Sequence, residues 1–223
     1  MSSTPDPATP AGTSARSDRD AAAPTVEIPV PTGEVRLLSA VQRRLLRVPG
    51  SREAAVVLSH VGEHALGWMA AAGAGMVLDP ARRGRWAMVG VGTFGAHATS
   101  VAVKRVVRRR RPAHPSVTVG VKTPSTLSFP SSHATSTTAF ALLAGSVSGV
   151  PIAPALVPVM MASRLVLGVH YPSDVLAGVA VGTGCAAFTR AAWSTELVQR
   201  VLPEPLRDAT AGPGAAENSE EKR

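Results

Sequence analysis

The chain has 223 residues, 45% of them hydrophobic, with a formal net charge of +8 and a single cysteine. This length suits one domain with tails, and one cysteine excludes an internal disulfide framework. The excess of arginine predicts anionic partners, a class that includes both membrane lipid and nucleic acid.

The N-terminal region contains two segments of different character. Residues 1–35 are rich in proline, alanine, serine, threonine and aspartate and contain no apolar run. This composition predicts a disordered tail and is not that of a signal peptide. In residues 36–50, leucine and valine recur at helical spacing while arginines fill the other face. The pattern favours a basic amphipathic helix on an anionic membrane surface, with a solvated helix packed on the domain as the alternative.

Apolar segments dominate residues 51–193 and predict an all-α fold, an integral membrane helical bundle of about five spanning helices. The segments are short against the roughly 20 residues that a bilayer-crossing helix needs, so a soluble helical bundle stays open. Gly178 and Gly182 are spaced for close helix packing, and such small residues also permit a homodimer. The acidic, glycine- and alanine-rich composition of residues 194–223 predicts a C-terminal tail that is largely disordered. The candidate spans are residues 54–78, 86–103, 134–149, 151–167 and 174–192.

One polar stretch between the last two spans has the residues for chemistry on a phosphate. Ser163 and Arg164 precede His170 by seven and six positions, and Asp174 follows it by four. If the turn after His170 is helical, Asp174 shares its face and can hold the far N–H of the imidazole. The other ring nitrogen is then presented as a nucleophile or base. An arginine nearby supplies the planar fork that suits a phosphate.

Two further stretches complete a set of three. Lys104 and the pair Arg111-Pro112 are separated by six residues, and Pro130-Ser-Ser-His133 follows. In this order the three stretches resemble the signatures of the type 2 phosphatidic acid phosphatase superfamily, lipid phosphatases related to vanadium haloperoxidases. The first and third patterns match in full, whereas the second has Ser132 at the position of the usual glycine.

The resemblance implies a role for each matching position. His170 would be the nucleophile that forms a phosphohistidine, with Asp174 orienting it. His133 would protonate the leaving alkoxide and then activate water. The phosphate-binding residues that the resemblance implies are Lys104, Arg111, Ser131, Ser132 and Arg164.

The alternation of spans places all three motifs on one membrane face. The first half of the first span lies at the same face, and its His60, Glu63 and His64 are candidate contacts to a substrate head group. The set demands no metal and no cofactor, because it is rich in basic groups and poor in the carboxylates that hard divalent cations prefer. The other arginines of the 104–111 run lie outside the motif, so we expect them to hold anionic head groups or to sit in solvent.

The substrate is predicted to be a lipid-linked phosphate. Leu58–His64 and Phe129–Thr138 resemble an actinobacterial subgroup of the superfamily associated with decaprenylphosphoryl-5-phosphoribose in cell-wall arabinan synthesis. A polyprenyl diphosphate, phosphatidic acid or phosphatidylglycerophosphate is the alternative substrate, and a non-catalytic protein that binds anionic lipid is the alternative of another class. A nucleic-acid partner is disfavoured because the arginine run abuts an apolar span and lacks interleaved aromatics.

The charge distribution predicts how the bundle sits in the inner cell membrane. Arginines of residues 36–52 and of the 104–111 run lie toward the face with the motifs, whereas the opposite face has only Arg82, Arg83 and Arg85. The positive-inside bias therefore predicts a multi-pass protein with its active site facing the cytoplasm.

Overall fold

A computed structural model of the chain describes residues 32–207. The tails predicted at residues 1–31 and 208–223 lie outside the described residues. Within that range the fold contains helices and one isolated bridge between Arg110 and Leu127, but no strand, which confirms the all-α prediction. The helices are α1 Thr32–Leu45, α2 Ser51–Val61, α3 Leu66–Leu78, α4 Arg83–Val107, α5 Ser132–Ser148, α6 Ala153–Val166, α7 Pro172–Trp193, α8 Glu196–Val201 and α9 Glu204–Arg207.

Helix α5 is the centre of the bundle and packs against α4, α6 and α7. Its buried face consists largely of alanine, serine and threonine, so neighbouring backbones approach it closely. Gly178 and Gly182 of α7 mark this approach, because a Cβ at Gly182 would lie 2.4 Å from the carbonyl oxygen of Thr135. The predicted use of these two glycines in helix packing is confirmed.

A hydrophobic core fills the space between α3, α4, α5 and α6. Trp68 of α3 stacks on Phe140 of α5 with ring centroids 5.0 Å apart. Leu143 and Met160 are fully buried beside them. Burial of four large side chains of this kind contributes several kcal/mol and fixes α5, whose first turn carries part of the site.

Helix α1 packs on the domain. It begins at Thr32, inside the segment predicted to be a tail, and buries Val35 and Leu38 against Val117 and Tyr171. The predicted apolar face is therefore only partly correct, because Leu37 is 52% exposed. A location at the membrane surface stays a prediction for the outward face.

The first predicted span is wrong in its continuity. Residues 54–78 form two helices, α2 and α3, separated by a single 3-10 turn at Glu63–Ala65. His64 and Ala65 adopt positive φ values of 49° and 60°, which L-residues rarely do, and the chain changes direction there. Gly62 and polar residues stand at this break, but they do not by themselves specify that the chain turns there.

Between residues 32 and 207, one helix is long and apolar enough to cross a membrane by length and composition. This helix is α7, and α6 is apolar but shorter. Helix α4 is 25 residues long, about 38 Å, but its glycines and polar residues lower its hydropathy.

The long connection from residue 108 to residue 131 is fixed by backbone hydrogen bonds. Its two ends pair where Ser128 donates to the carbonyl of Arg109 at 2.8 Å and Arg111 donates to that of Thr126 at 3.1 Å. Its middle is tied to the end of α6, because Gly120 donates to the carbonyl of Leu167 at 2.9 Å. The first two motifs therefore lie against the third.

Candidate active site

His170 and Asp174 form a buried pair at the start of α7. Asp174 lies in the first turn, where its Oδ2 accepts the backbone N–H of Tyr171 at 2.8 Å. The same oxygen lies 3.6 Å from Nδ1 of His170. The side chains of His170 and Asp174 are 3% and 0% exposed. The predicted sharing of one face is confirmed, and helix capping explains it, because the carboxylate that accepts the Tyr171 N–H also lies beside the imidazole. The contact is a charge proximity, since Nδ1 of His170 has no hydrogen-bond partner among the described residues.

The contact with Arg111 indicates which ring nitrogen of His170 carries the hydrogen. Its Nη1 lies 3.1 Å from Nε2 of His170 and donates to the carbonyl of Val169 at 2.7 Å, while its Nε donates to that of Ser125 at 2.8 Å. A guanidinium has only donors, so Nε2 is the acceptor and the ring hydrogen is on Nδ1, facing Asp174. The lone pair of Nε2 therefore points to the cationic side of the site.

The environment keeps this imidazole neutral. Burial, followed by the charges of Arg111, Lys104 and Arg164, lowers the pKa of His170 well below its usual range. Burial also lowers the pKa of Arg111 to about 10, with the Asp174 carboxylate acting in the opposite direction. At neutral pH the site therefore combines an unprotonated histidine with a protonated guanidinium.

Lys104 holds the loop that carries the second motif. It lies in the last turn of α4, and its side chain donates to the carbonyls of Ser128, at 3.1 Å, and of Pro130. A lysine ammonium has three N–H donors, so one remains for a ligand. The residue is 8% exposed, and its positive charge is one of those that lower the pKa of His170.

His133 and Arg164 meet at Ser59 of α2. Nε2 of His133 lies 2.9 Å from the carbonyl oxygen of Ser59, and Nη1 of Arg164 donates to the hydroxyl of the same residue at 3.2 Å. The carbonyl is an acceptor, so Nε2 of His133 carries the hydrogen and Nδ1 is left to exchange a proton. Arg164 is 1% exposed, and its Nη2 makes no hydrogen bond within the described part of the chain. Sequence reasoning missed Ser59.

The three other candidates in the first span do not join this cluster. His60 lies on the exposed face of α2, where its Nδ1 hydrogen bonds the carbonyl of Val56. His64 is exposed at the break and lies 6.0 Å from the ring of His97. Glu63, in the same turn, is half-buried. Their role as head-group contacts stays a prediction.

The two serines of the second motif use their hydroxyls inside the protein. The hydroxyl of Ser131 caps α5 by accepting the N–H of Ala134 at 3.4 Å, and its backbone N–H donates to the carbonyl of Asp174 at 3.0 Å. The hydroxyl of Ser132 accepts a hydrogen bond from Ser100 of α4 at 2.8 Å. Of the N–H groups in the first turn of α5, those of Ala134 and Thr135 are paired with Ser131, which leaves those of Ser132 and His133 for an anion.

Arg109 corrects the expectation that the arginines outside the motif bind head groups or sit in solvent. Its Nη1 donates to Oδ1 of Asp174 at 3.0 Å and to the hydroxyl of Ser173 at 2.6 Å, and its Nη2 pairs with Glu34 of α1. The guanidinium lies over the ring of Tyr171, 4.1 Å from the centroid. Arg105, Arg108 and Arg110 are exposed, as expected.

Comparisons with known proteins identify relatives of the chain. Residues 85–197 match the PAP2 superfamily. A Mycobacterium tuberculosis (strain H37Rv) protein, "Decaprenylphosphoryl-5-phosphoribose phosphatase", is 54% identical over 157 residues, which cover 70% of this chain and 89% of the relative. The Mycolicibacterium smegmatis protein of that name is 57% identical over 148 residues, 66% of this chain and 82% of the relative.

A solved structure has the same fold. It is that of the transmembrane PAP2 type phosphatidylglycerolphosphate phosphatase from Bacillus subtilis, which matches with a TM-score of 0.57 and 20% identity over 78% of this chain and 90% of that chain. At this identity the likeness concerns the fold alone. The family match and the two relatives show that the chain belongs to the PAP2 superfamily and is a phosphatase of that family.

Proposed function

We propose that this phosphatase removes the phosphate from decaprenylphosphoryl-5-phosphoribose, a reaction of cell-wall precursor synthesis, through a phosphohistidine at His170. The observation that carries the substrate is the identity of 54–57% to two proteins named for that activity. The mechanism is supported by Nε2 of His170, which is unprotonated and faces Arg111.

In the first half-reaction, Nε2 of His170 attacks the phosphorus of the 5-phosphate. The bond between phosphorus and the ribose oxygen breaks as the N–P bond forms. His133, which is protonated once the anionic phosphate lies beside it, gives that proton to the departing oxygen. Asp174 stabilises the positive charge that develops on the imidazole, because its Oδ2 lies 3.6 Å from Nδ1. The products of this step are the lipid-linked ribose and phosphohistidine.

In the second half-reaction, water takes the place of the ribose oxygen. His133, now neutral, accepts a proton from the attacking water, and the N–P bond breaks to release inorganic phosphate and restore His170. The Ser59 carbonyl supports both steps, because its hydrogen bond to Nε2 leaves Nδ1 of His133 for the proton.

Cationic side chains neutralise the phosphate oxygens in both steps. Arg111 contacts His170 directly, Arg164 has a buried unpaired nitrogen, and Lys104 retains a donor beside the loop of the second motif. These groups supply the charge neutralisation that a divalent metal supplies in other phosphatases. We therefore propose that the reaction needs no metal or cofactor.

The test is phosphate release by the purified protein in detergent with chelator present. The substrates are decaprenylphosphoryl-5-phosphoribose, a polyprenyl diphosphate, phosphatidic acid and phosphatidylglycerophosphate, each with wild type and His170→Ala. We expect release from the first substrate in particular, no effect of chelator, and a loss of about a thousandfold or more in the variant. Acid-labile radioactive phosphate should label His170 in wild type only.

Two outcomes would contradict parts of the proposal separately. Preference for another lipid in the panel would refute the substrate and leave the histidine mechanism in place. Absence of release from every lipid, with binding retained, would refute the enzymatic function and favour a lipid-binding protein. His114→Ala, which removes an exposed imidazole outside the cluster, is the matched control for His170→Ala.

We further propose that the chain is a multi-pass protein of the inner cell membrane with its site facing the cytoplasm. Support comes from the arginines on the outward side of α1 and at the end of α4, which lie near the site. Pro115 is exposed in the connection that carries the motifs. In a Cys185→Ala background, Pro115→Cys should resist a membrane-impermeant thiol reagent in intact cells and react after lysis; labelling in intact cells would reverse the orientation.

A further inference from the structure

The strongest unassigned feature of the molecule is the half-buried guanidinium of Arg109. It lies just beyond the end of α4, after Arg108, whose φ of 54° turns the chain. Its side chain is 24% exposed, whereas that of Asp174, which it contacts, is 0% exposed. A buried carboxylate requires a compensating charge or several hydrogen bonds, and Arg109 supplies a charge.

The two oxygens of Asp174 have separate partners. Oδ2 accepts the N–H of Tyr171 and lies beside His170, and Oδ1 accepts from Arg109. Since a carboxylate is planar, fixing Oδ1 also fixes the direction of Oδ2. Arg109 thus influences the nucleophile although it does not touch it.

Arg109 is itself held from two sides. Glu34 of α1 pairs with its Nη2 and accepts the backbone N–H of Ser173 at 3.2 Å through its other oxygen. The ring of Tyr171 lies under the guanidinium at 4.1 Å, a distance suited to a cation–π interaction. The carboxylate of α1 therefore connects the N-terminal helix to the first turn of α7.

We infer that Arg109 is a positioning residue for the reaction, which aligns Asp174 with His170 and is in turn held by Glu34 of α1. The inference rests on the proposed phosphohistidine mechanism. It assigns α1 a part in the chemistry, because this helix supplies the outer member of a Glu34–Arg109–Asp174–His170 series. The arginine differs in this respect from Arg110, its exposed neighbour.

The test compares Arg109→Gln, Arg109→Lys and Glu34→Gln with the control Arg110→Gln. We expect Arg109→Gln to lower kcat by about a hundredfold with KM within about threefold, because orientation of the nucleophile is lost while the phosphate-binding cations remain. Arg109→Lys should have a kcat about tenfold higher than that of Arg109→Gln, since lysine restores the positive charge but not the planar guanidinium. Glu34→Gln should lower kcat about fivefold, and Arg110→Gln should leave kcat unchanged.

A double-mutant cycle separates positioning from a general loss of structure. If Arg109 acts through Asp174, then Arg109→Gln should have little effect on kcat in an Asp174→Asn background, so the two losses are far from additive. Additive losses, or a kcat for Arg109→Gln within twofold of wild type, would overturn the inference. Thermal unfolding of each variant checks that it is folded.

A second readout does not depend on turnover. In protein with ¹⁵N-labelled histidine, the signal of His170, assigned by its loss in His170→Gln, reports which ring nitrogen carries hydrogen. Arg109→Gln should shift the population away from the Nδ1–H form, and Arg110→Gln should not. An unchanged signal would overturn the inference, whereas a shifted signal in a protein that releases no phosphate would sustain the positioning and refute only the proposed function.

Discussion

The carbonyl oxygen of Ser59 lies 2.9 Å from Nε2 of His133, although 74 residues separate them in the chain. This contact gives the second histidine a fixed orientation. It also places the break between α2 and α3 against the site, because Gly62 packs on the His133 ring. A Cβ at Gly62 would lie 2.5 Å from Cδ2 of that ring.

Gly62→Ala should therefore impair catalysis without unfolding the protein. The backbone of Gly62 has φ of −83°, which alanine adopts readily, so the added methyl group acts on the ring of His133. We expect kcat to fall about 10–100-fold with little change in KM. The matched control is Gly73→Ala in α3, where a Cβ would meet nothing within 4 Å; unchanged activity in both variants would contradict the prediction.

Stability should depend on pH through His170. Burial and nearby cations keep the pKa of His170 well below 6.5 in the folded state, whereas the unfolded chain titrates near 6.5. As the pH falls below 6.5, only the unfolded state takes up this proton, so the stabilisation present above pH 6.5 is lost on acidification toward the folded pKa. The slope from this residue is at most about 1.4 kcal/mol per pH unit.

The measurement is the thermal unfolding of wild type and His170→Gln between pH 7.5 and pH 5. The difference in Tm between the two should change as the pH falls, with wild type losing stability faster. His60→Gln, a change on the exposed face of α2, should run parallel to wild type. Parallel curves for His170→Gln would show that this histidine is not held neutral.

Arg108→Gly should stabilise the protein. Arg108 is exposed and adopts φ of 54° after the last turn of α4, a conformation that costs an L-residue about 1–2 kcal/mol and glycine little. After the greater flexibility of glycine in the unfolded chain is subtracted, we expect a gain of about 0.5–1 kcal/mol. Arg105→Gly, three residues earlier inside the helix, should instead lose about 1 kcal/mol. Tm shifts of equal size and opposite sign in Arg108→Gly and Arg105→Gly would identify backbone conformation as the cause. A lower Tm in both variants would refute the prediction.

Gln42→Ala should loosen the connection that carries the motifs. The Gln42 amide donates to the carbonyls of Thr118, at 2.7 Å, and Val166, at 2.9 Å, and accepts the N–H of Thr118 at 3.0 Å. Loss of three largely buried hydrogen bonds should cost about 2–3 kcal/mol and speed proteolysis between residues 108 and 131. Exposed Arg43→Ala is the control, and equal cleavage rates would count against a clamping role for Gln42.

Ser132→Gly restores the residue that the family pattern usually has and should change little. The hydroxyl of Ser132 is occupied by Ser100, and the backbone N–H that faces an anion is common to both residues. We expect kcat/KM to stay within about threefold, equivalent to ~0.6 kcal/mol. A loss of kcat/KM above tenfold would mean that the Ser132 hydroxyl contacts the substrate. Ser100→Ala is the companion variant, because it removes the hydrogen bond that occupies this hydroxyl.

Local spacing predicts the parts of the site that lie close in the chain. Asp174 follows His170 by four positions, so a helix start is enough to bring them together, and the structure has them 3.6 Å apart. The alternation of apolar and polar segments likewise predicts that Arg111 reaches the same end of the bundle, where it contacts His170.

The remaining contacts could not be predicted because they depend on how distant helices pack. Ser59 acts on His133 through its carbonyl, a group that every residue has, so the sequence contains no signal for it. Arg109 stands in a run of four consecutive arginines, and only the position of Glu34, 75 residues away, distinguishes it. The break at His64 is similar, because positive φ at a non-glycine residue is imposed by tertiary packing.

That break has a consequence for the supply of water and lipid. Helices α2 and α3 are about 16 Å and 20 Å long, so neither spans the roughly 30 Å of a hydrocarbon layer, and the turn at Glu63–Ala65 falls between them. Irregular backbone at membrane depth persists only where it is packed in protein or wetted. We therefore expect water and the phosphate of a lipid-linked substrate to meet at this break, because Gly62 packs there on the ring of His133.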